Sequence, residues 1–165
     1  MKTLRMRAAS LATAGAIALA LTTASASAPT DQYQTFNRSD VTITDVNTGL
    51  VWQRTVASPP ADYLAALDYC KNTYKEGGFQ WRLPTMKELL TIVDETPHYE
   101  FEGIVNQPKM IDVNAFPGSK TNLEYWSSST NAAQPTAEAW VVKFRTGENA
   151  TQSQSQLGYV RCVRQ

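Results

Sequence analysis

Apolar and polar positions alternate over residues 41–45 and again over 50–54, with Val46-Asn47-Thr48-Gly49 between them. Period-two alternation around a glycine-containing loop predicts a β-hairpin. Asp45 and Asn47 are suited to hydrogen-bond the turn backbone. Ser58-Pro59-Pro60 then predicts a helix start, with Ser58 as the cap and the prolines in the first turn. Tyr63, Leu64, Leu67 and Cys70 recur at helical spacing, with Tyr74 one turn on, and Gly77-Gly78 ends the run. That stripe puts Cys70 on a buried face. Over 79–94, Pro84 forces Leu83 to be extended. Thr85 and Glu88 make a capping box ahead of Leu89, Leu90, Ile92 and Val93, which predicts a second short helix entered at Met86.

Periodicity then lapses. Residues 94–123 carry Pro97, Pro108, Pro117, Gly103, Gly118 and scattered acids, and read as a long irregular insert with room for local helix or strand. An insert of this kind in a compact domain is functional or ordered by packing. Strand patterns return at 125–130, at 138–145 after a loop over 131–136, and at 158–164. Thr146-Gly147-Glu148 turns the chain before a polar run of Gln, Ser and Thr over 149–156. Trp52, Trp81, Trp126 and Trp140 each lie in a strand or extended pattern and are expected in the core.

The first segment reads as an address. Lys2, Arg5 and Arg7 precede an uncharged Ala- and Leu-rich stretch and a small-residue run, the order of a secretory signal peptide over 1–26. The cut is expected before Ser27, with Ala26-Ser27-Ala28 as the second cleavage pattern. The apolar stretch falls short of the roughly 20 residues of a spanning helix. Residues 27–39 then form a polar leader and 40–165 one domain. The expected mature protein is secreted or periplasmic, with no membrane span. Cleavage removes three basic residues from a chain with 15 basic and 15 acidic ones, leaving 12 against 15. A formal charge near −3, with no run of Lys and Arg, argues against nucleic acid or another polyanion spread over the domain.

The chain has two cysteines, Cys70 and Cys162. An even count in an exported chain points to a disulfide, and two cysteines allow one intramolecular pairing. The alternative is a redox or nucleophilic thiol, which needs access and a depressed pKa.

Taken in order, the signatures are Asp45-Val46-Asn47-Thr48-Gly49-Leu50-Val51-Trp52, Cys70, Trp81-Arg82-Leu83-Pro84-Thr85, Glu88-Leu89, Tyr125-Trp126-Ser127-Ser128 and Val160-Arg161-Cys162-Val163-Arg164. This set resembles the Lcl C-terminal domain family, of unassigned function, over about residues 40–164. It is more distantly similar to the formylglycine-generating enzyme family through Arg82-Leu83-Pro84-Thr85 and Glu88. The resemblance implies an α+β, C-type-lectin-like fold: an antiparallel sheet with two helices and long irregular loops. In the collagen-like adhesin that names the family, this domain ends a collagen stalk and binds glycosaminoglycans. Here neither a collagen repeat nor a basic cluster occurs.

The side chains favour structure over catalysis. Arg82 is expected to be held by a carboxylate or by carbonyls, and Glu88 to cap its own helix. His98 is the only histidine, so a multi-histidine metal site is excluded, and beside Pro97 and Tyr99 it reads as a surface residue. A triad of Asp94, His98 and one of Ser127 to Ser129 has no support in the spacing, and no nucleophile elbow or phosphate loop occurs. The acids Asp94, Glu95, Glu100, Glu102 and Asp112 show no calcium-loop spacing. No metal or cofactor is expected, and the oxygenase chemistry of the distant relatives needs cysteines that a bridge would consume. Sequons occur at Asn37 and Asn149.

The expectation is an exported, non-catalytic binding module that takes a carbohydrate or protein ligand through its 95–124 insert and its 146–157 loop. Asn149, Thr151, Gln152, Ser153 and Gln154 are the candidate ligand contacts. The alternatives are a structural subunit of an envelope assembly and a cryptic redox enzyme.

Overall fold

Eleven strands and two short helices are resolved in a computed structural model that describes residues 28–29, 31–35, 41–101 and 106–165. The expected signal peptide and the Asn37 sequon lie outside the described residues. The chain is α+β. Strands β1 (Tyr33–Gln34), β2 (Thr42–Asp45), β3 (Val51–Gln53) and β4 (Ala57–Ala61) come first. Helix α1 (Tyr63–Asp68) continues into a π-helical turn over Tyr69–Thr73, and α2 spans Met86–Leu90. Then follow β5 (His98–Phe101), β6 (Asn106–Lys109), β7 (Tyr125–Thr130), β8 (Glu138–Lys143), β9 (Glu148–Ser153), β10 (Gly158–Val160) and β11 (Val163–Arg164).

The predicted hairpin forms as β2 and β3, paired antiparallel. Its turn is held as the sequence requires: Asn47 N donates to Asp45 Oδ1 at 3.0 Å, and Gly49 takes the left-handed φ of 72° that favours glycine. Within the polar leader, β1 adds to β2. The first sheet runs β1-β2-β3-β11 and the second β4-β10-β7-β8-β9, while β5 and β6 form a separate hairpin inside the insert read as irregular. The terminal segment crosses between the sheets. β10 joins the second sheet and β11 the first, and Arg161 and Cys162 occupy the step between them.

β7 and β8 are covered on both faces, so successive side chains enter different cores. Tyr125 and Val142 pack with Trp52, Leu89, Ile111, Phe116 and Phe144. Trp126 and Val141 pack with Tyr63, Ala66, Trp81, Leu83 and the two cysteines. Trp52, Trp81 and Trp126 are buried as expected, but Trp140 is only half-buried and joins neither cluster.

The helix start differs from the expectation. Ser58-Pro59-Pro60 lies in β4, and Asp62 is the cap, its side chain accepting from Ala65 N at 2.9 Å. Proline tolerates an edge strand as well as a first helical turn, and pairing of β4 with β10 decides between them. The buried face is also narrower than the stripe read from the sequence. Tyr63, Ala66 and Cys70 face the core, while Leu64 is 70% exposed. The second helix forms as predicted, with both halves of the Thr85–Glu88 capping box in place.

Candidate functional site

Cys70 and Cys162 are joined, with Sγ atoms 2.02 Å apart and Cα atoms 5.4 Å apart, and both are fully buried. The chain therefore has no free thiol. The bridge fastens the π-helical end of α1 to the terminal segment, and so fixes the inner face of α1 against the sheet.

The outer face of α1 borders a concavity. Leu64 and Leu67 of α1 face Trp81 and Leu83 of the extended segment across a groove of about 520 Å³. Asp68, Lys71, Arg82 and Ser128 add polar groups to the lining. Arg82 is gripped rather than loose: Nη1 and Nη2 donate to Glu88 Oε2 and Oε1 at 2.7 and 2.6 Å. Glu88 Oε2 also accepts from Thr85 N at 2.8 Å and Thr85 Oγ1 at 2.9 Å. The Arg82 hydrogen bonds, with those from Thr85, hold the Glu88 carboxyl down at about 2 against the cost of its partial burial, and Glu88 in turn raises Arg82. The sequence expectation of a carboxylate partner for Arg82 is met by the same Glu88 that caps its helix.

A second hollow of about 390 Å³ lies on the other side of Leu64, among Asp62, Thr136, Ala137, Ser153, Gln154 and Ser155. Leu64 lines both. The two hollows therefore meet at one exposed leucine.

The five residues singled out in the polar run do not sit on a loop. They lie on or just after β9, a regular six-residue strand paired with β8 along its length. A polar strand has no apolar alternation to reveal it, which is why the sequence read as a turn. Alternation splits the set. Asn149, Thr151 and Ser153 are exposed on the face that carries Trp140, whose cross-strand partner is Thr151. Gln152 points to the opposite face and donates to Leu157 O at 3.4 Å. Gln154 donates from Nε2 to Pro135 O at 3.1 Å and Glu138 O at 3.3 Å, bracing the 131–137 loop. The structure thus brings Ser153 and Gln154 into the second hollow and leaves Asn149 and Thr151 outside it.

The Lcl C-terminal domain profile matches residues 41–164. The chain belongs to the Lcl C-terminal domain family. No curated protein matches it. In this Lcl C-terminal domain the signature segments converge on the step between the two sheets. Arg82 N donates to Val163 O at 3.0 Å and Val163 N donates back to Arg82 O at 2.9 Å, so the Trp81-Arg82-Leu83 segment is bridged to the terminal Arg-Cys-Val segment.

The residue that sequence reading missed is Arg161, 1% exposed. Its Nη1 donates to Gln53 O at 2.7 Å and Arg54 O at 2.5 Å, its Nη2 donates to Ser119 Oγ at 2.8 Å, and its guanidinium lies 4.6 Å over the Phe116 ring. Burial pushes its pKa down. The available signal was an arginine between Val160 and Cys162, where strand alternation sets it opposite to a buried cysteine.

His98 is not a plain surface residue. It is partly buried, with Nε2 2.8 Å from Asp94 Oδ2, while Asp94 Oδ1 accepts from Thr96 N at 2.9 Å. The serines of the imagined triad lie elsewhere. Ser127 Oγ donates to Trp140 O at 2.8 Å, and Ser129 Oγ accepts from Met86 N at 3.0 Å. Among the described residues, no three His, Cys, Asp or Glu side chains are grouped to hold a metal ion.

Proposed function

We propose that this chain is an exported, non-catalytic binding module that takes a carbohydrate or protein ligand at a cell surface, in the paired hollows astride Leu64. The observation that carries this reading is Leu64 itself. Among the described residues it is the most exposed of the large hydrophobic side chains, at 70%, and it stands between an apolar groove and a hollow rich in hydroxyl and amide groups. A ligand with one apolar face and several hydroxyls or amides matches that sequence of surfaces. Disulfide anchoring of α1 and bracing by Gln154 make the site largely preformed, which lowers the ordering cost of binding.

Export is supported by the basic-then-apolar first segment and by a disulfide, which persists in oxidising compartments. No helix among the described residues is long and apolar enough to cross a membrane. The C-type-lectin-like arrangement belongs to this proposal and is supported by the family membership. A cryptic redox enzyme is disfavoured because both cysteines are engaged in the bridge.

The test is a screen of the mature, disulfide-bonded protein against arrayed glycans and matrix proteins, repeated with Leu64→Glu and Ser153→Lys. Loss of a captured ligand in both variants, with an unchanged melting profile, supports the site. A ligand held with unaltered affinity by both variants would place the contact surface elsewhere.

A further inference from the structure

We infer that β9 is a self-pairing edge, through which two copies of this chain join their second sheets in antiparallel register about a two-fold axis at Thr151. This goes beyond the ligand site at Leu64 and concerns the free side of the strand.

Backbone geometry sets which groups are available. Glu138 faces Ser153 in the β8–β9 ladder, and one step further Gln154 N donates to Ala137 O at 2.8 Å. Hydrogen-bonded and non-bonded pairs alternate along an antiparallel ladder. Glu148, Ala150 and Gln152 therefore bond inward to β8, and Asn149, Thr151 and Ser153 aim their N–H and C=O groups away from the sheet. β9 ends the strand order, so no described strand meets those groups. One of the carbonyls, that of Ser153, accepts from Gln156 N at 3.0 Å within the following turn.

Soluble proteins blunt such edges with prolines, lysines, bulges or very short strands. Four of the other five described edge strands follow that practice. β4 carries Pro59 and Pro60, β1 and β11 are two residues long, and β6 carries Pro108. β9 is six residues of Glu-Asn-Ala-Thr-Gln-Ser, regular and exposed, with neither proline nor lysine. It is the longer of two unprotected edges among the described strands, the other being the four-residue β5 of the insert hairpin.

The sequence of the edge fits a second copy. A two-fold axis at Thr151 sets Thr151 opposite Thr151, Asn149 opposite Ser153 and Glu148 opposite Gln154. Every outward-facing residue then meets another outward-facing residue, with two backbone bonds at the Thr151 pair and, because each Ser153 carbonyl is held in its own turn, one at each Asn149–Ser153 pair. The one charge on the strand, Glu148, meets a neutral amide, so no like charges oppose each other. The interface is isologous and closes at two copies.

The test is sedimentation and light scattering of the exported, disulfide-bonded protein from low micromolar to millimolar concentration. The expected result is a mass that doubles as concentration rises. Thr151→Lys and Thr151→Glu each bring like charges face to face on the axis and stay at the single mass. An equal mixture of the two recovers the doubled mass. Position 151 is exposed, so each variant keeps the wild-type melting profile at low concentration. A single mass at every concentration overturns the inference, as does doubling in either variant alone or a mixture that stays single. Slow amide exchange at Asn149, Thr151 and Ser153 in the single-mass form also overturns it, because another segment would then occupy the edge.

Discussion

Arg82 closes a two-pronged ion pair on Glu88, with both guanidinium Nη atoms within 2.7 Å of a carboxylate oxygen. Parallel N–H···O bonds of this kind are the strongest ordinary pairing of these groups. They join the extended segment that lines the groove to the helix that follows it. The folded carboxyl titrates at about 2, against 4.5 for the free group. A depressed carboxyl pKa stabilises the fold above the unfolded value and loses that contribution as pH falls through the folded one. After discounting for solvent screening of this partly exposed pair, the contribution is about 1 kcal/mol. Urea midpoints of wild type and Glu88→Gln should therefore differ at neutral pH and converge as pH drops from 4.5 towards 2. A constant gap across that range would refute the linkage.

Arg161 should be costly to remove. Its described partners are the carbonyls of Gln53 and Arg54 and the hydroxyl of Ser119, not a carboxylate. Arg161→Met fills the volume but strips two buried carbonyls of this donor. The expected loss is about 3 kcal/mol, from bonds to a charged group and the acceptors left behind. Arg161→Lys offers a single donor head in place of the fork and should fall between Met and wild type. Denaturation midpoints of both variants check the order. A Met variant as stable as wild type would mean that the carbonyls find other donors at no cost.

The bridge between Cys70 and Cys162 spans a sequence separation of 92 residues. Closing so long a loop restricts the unfolded chain, and the loop-entropy account gives about 4–5 kcal/mol as an upper figure. The double variant Cys70→Ala/Cys162→Ala should unfold at markedly lower denaturant, and wild type should approach it when unfolded with reductant. Thiol titration of unfolded, unreduced protein is expected to find none. Two titrating thiols would contradict the bridge and return the cysteines to the list of reactive groups.

What the sequence revealed depended on how local each interaction is. The Thr85–Glu88 box was legible because its partners are three residues apart and both geometry and residue type are fixed by a helix start. The disulfide was legible because two cysteines leave one pairing. Ser58-Pro59-Pro60 was misread because its signals suit two structures, and a distant strand, β10, selects the edge. Leu64 was placed on the buried stripe because spacing alone cannot say how wide that stripe is. Tyr63, Ala66 and Cys70 fill the available core and turn Leu64 to solvent. β9 escaped notice for a related reason: an edge strand with no fully buried position has no need of apolar alternation, so Gln, Ser and Thr conceal it. Of the five residues picked there for polarity, Asn149, Thr151 and Ser153 lie on the outer side of the edge strand, with the Ser153 carbonyl taken by Gln156 N, while Gln152 and Gln154 use their amides within the fold.

Gly158 supplies the last prediction. Its sequence position, at the start of the terminal strand, suggests nothing beyond a turn. In the fold a Cβ there would stand 2.7 Å from Trp126 Nε1 and 3.1 Å from Glu124 O. The indole cannot step aside cheaply. Its Nε1 donates to Ala61 O at 2.9 Å, and its ring meets Tyr63 edge-on at 5.6 Å between centroids, in the core that holds the disulfide. Gly158→Ala must therefore shift the buried indole or part β10 from β7. Overpacking of this kind costs about 1–3 kcal/mol, and losing the bond to Ala61 adds about 1 kcal/mol. The variant should melt lower than wild type and change the near-ultraviolet signal of its tryptophans, and Trp126→Phe in the same chain should restore part of the loss by removing the crowded nitrogen. If Gly158→Ala instead melts with wild type, the close approach of β10 to the Trp126 indole is wrong, and with it the packing that seats α1 beside the groove.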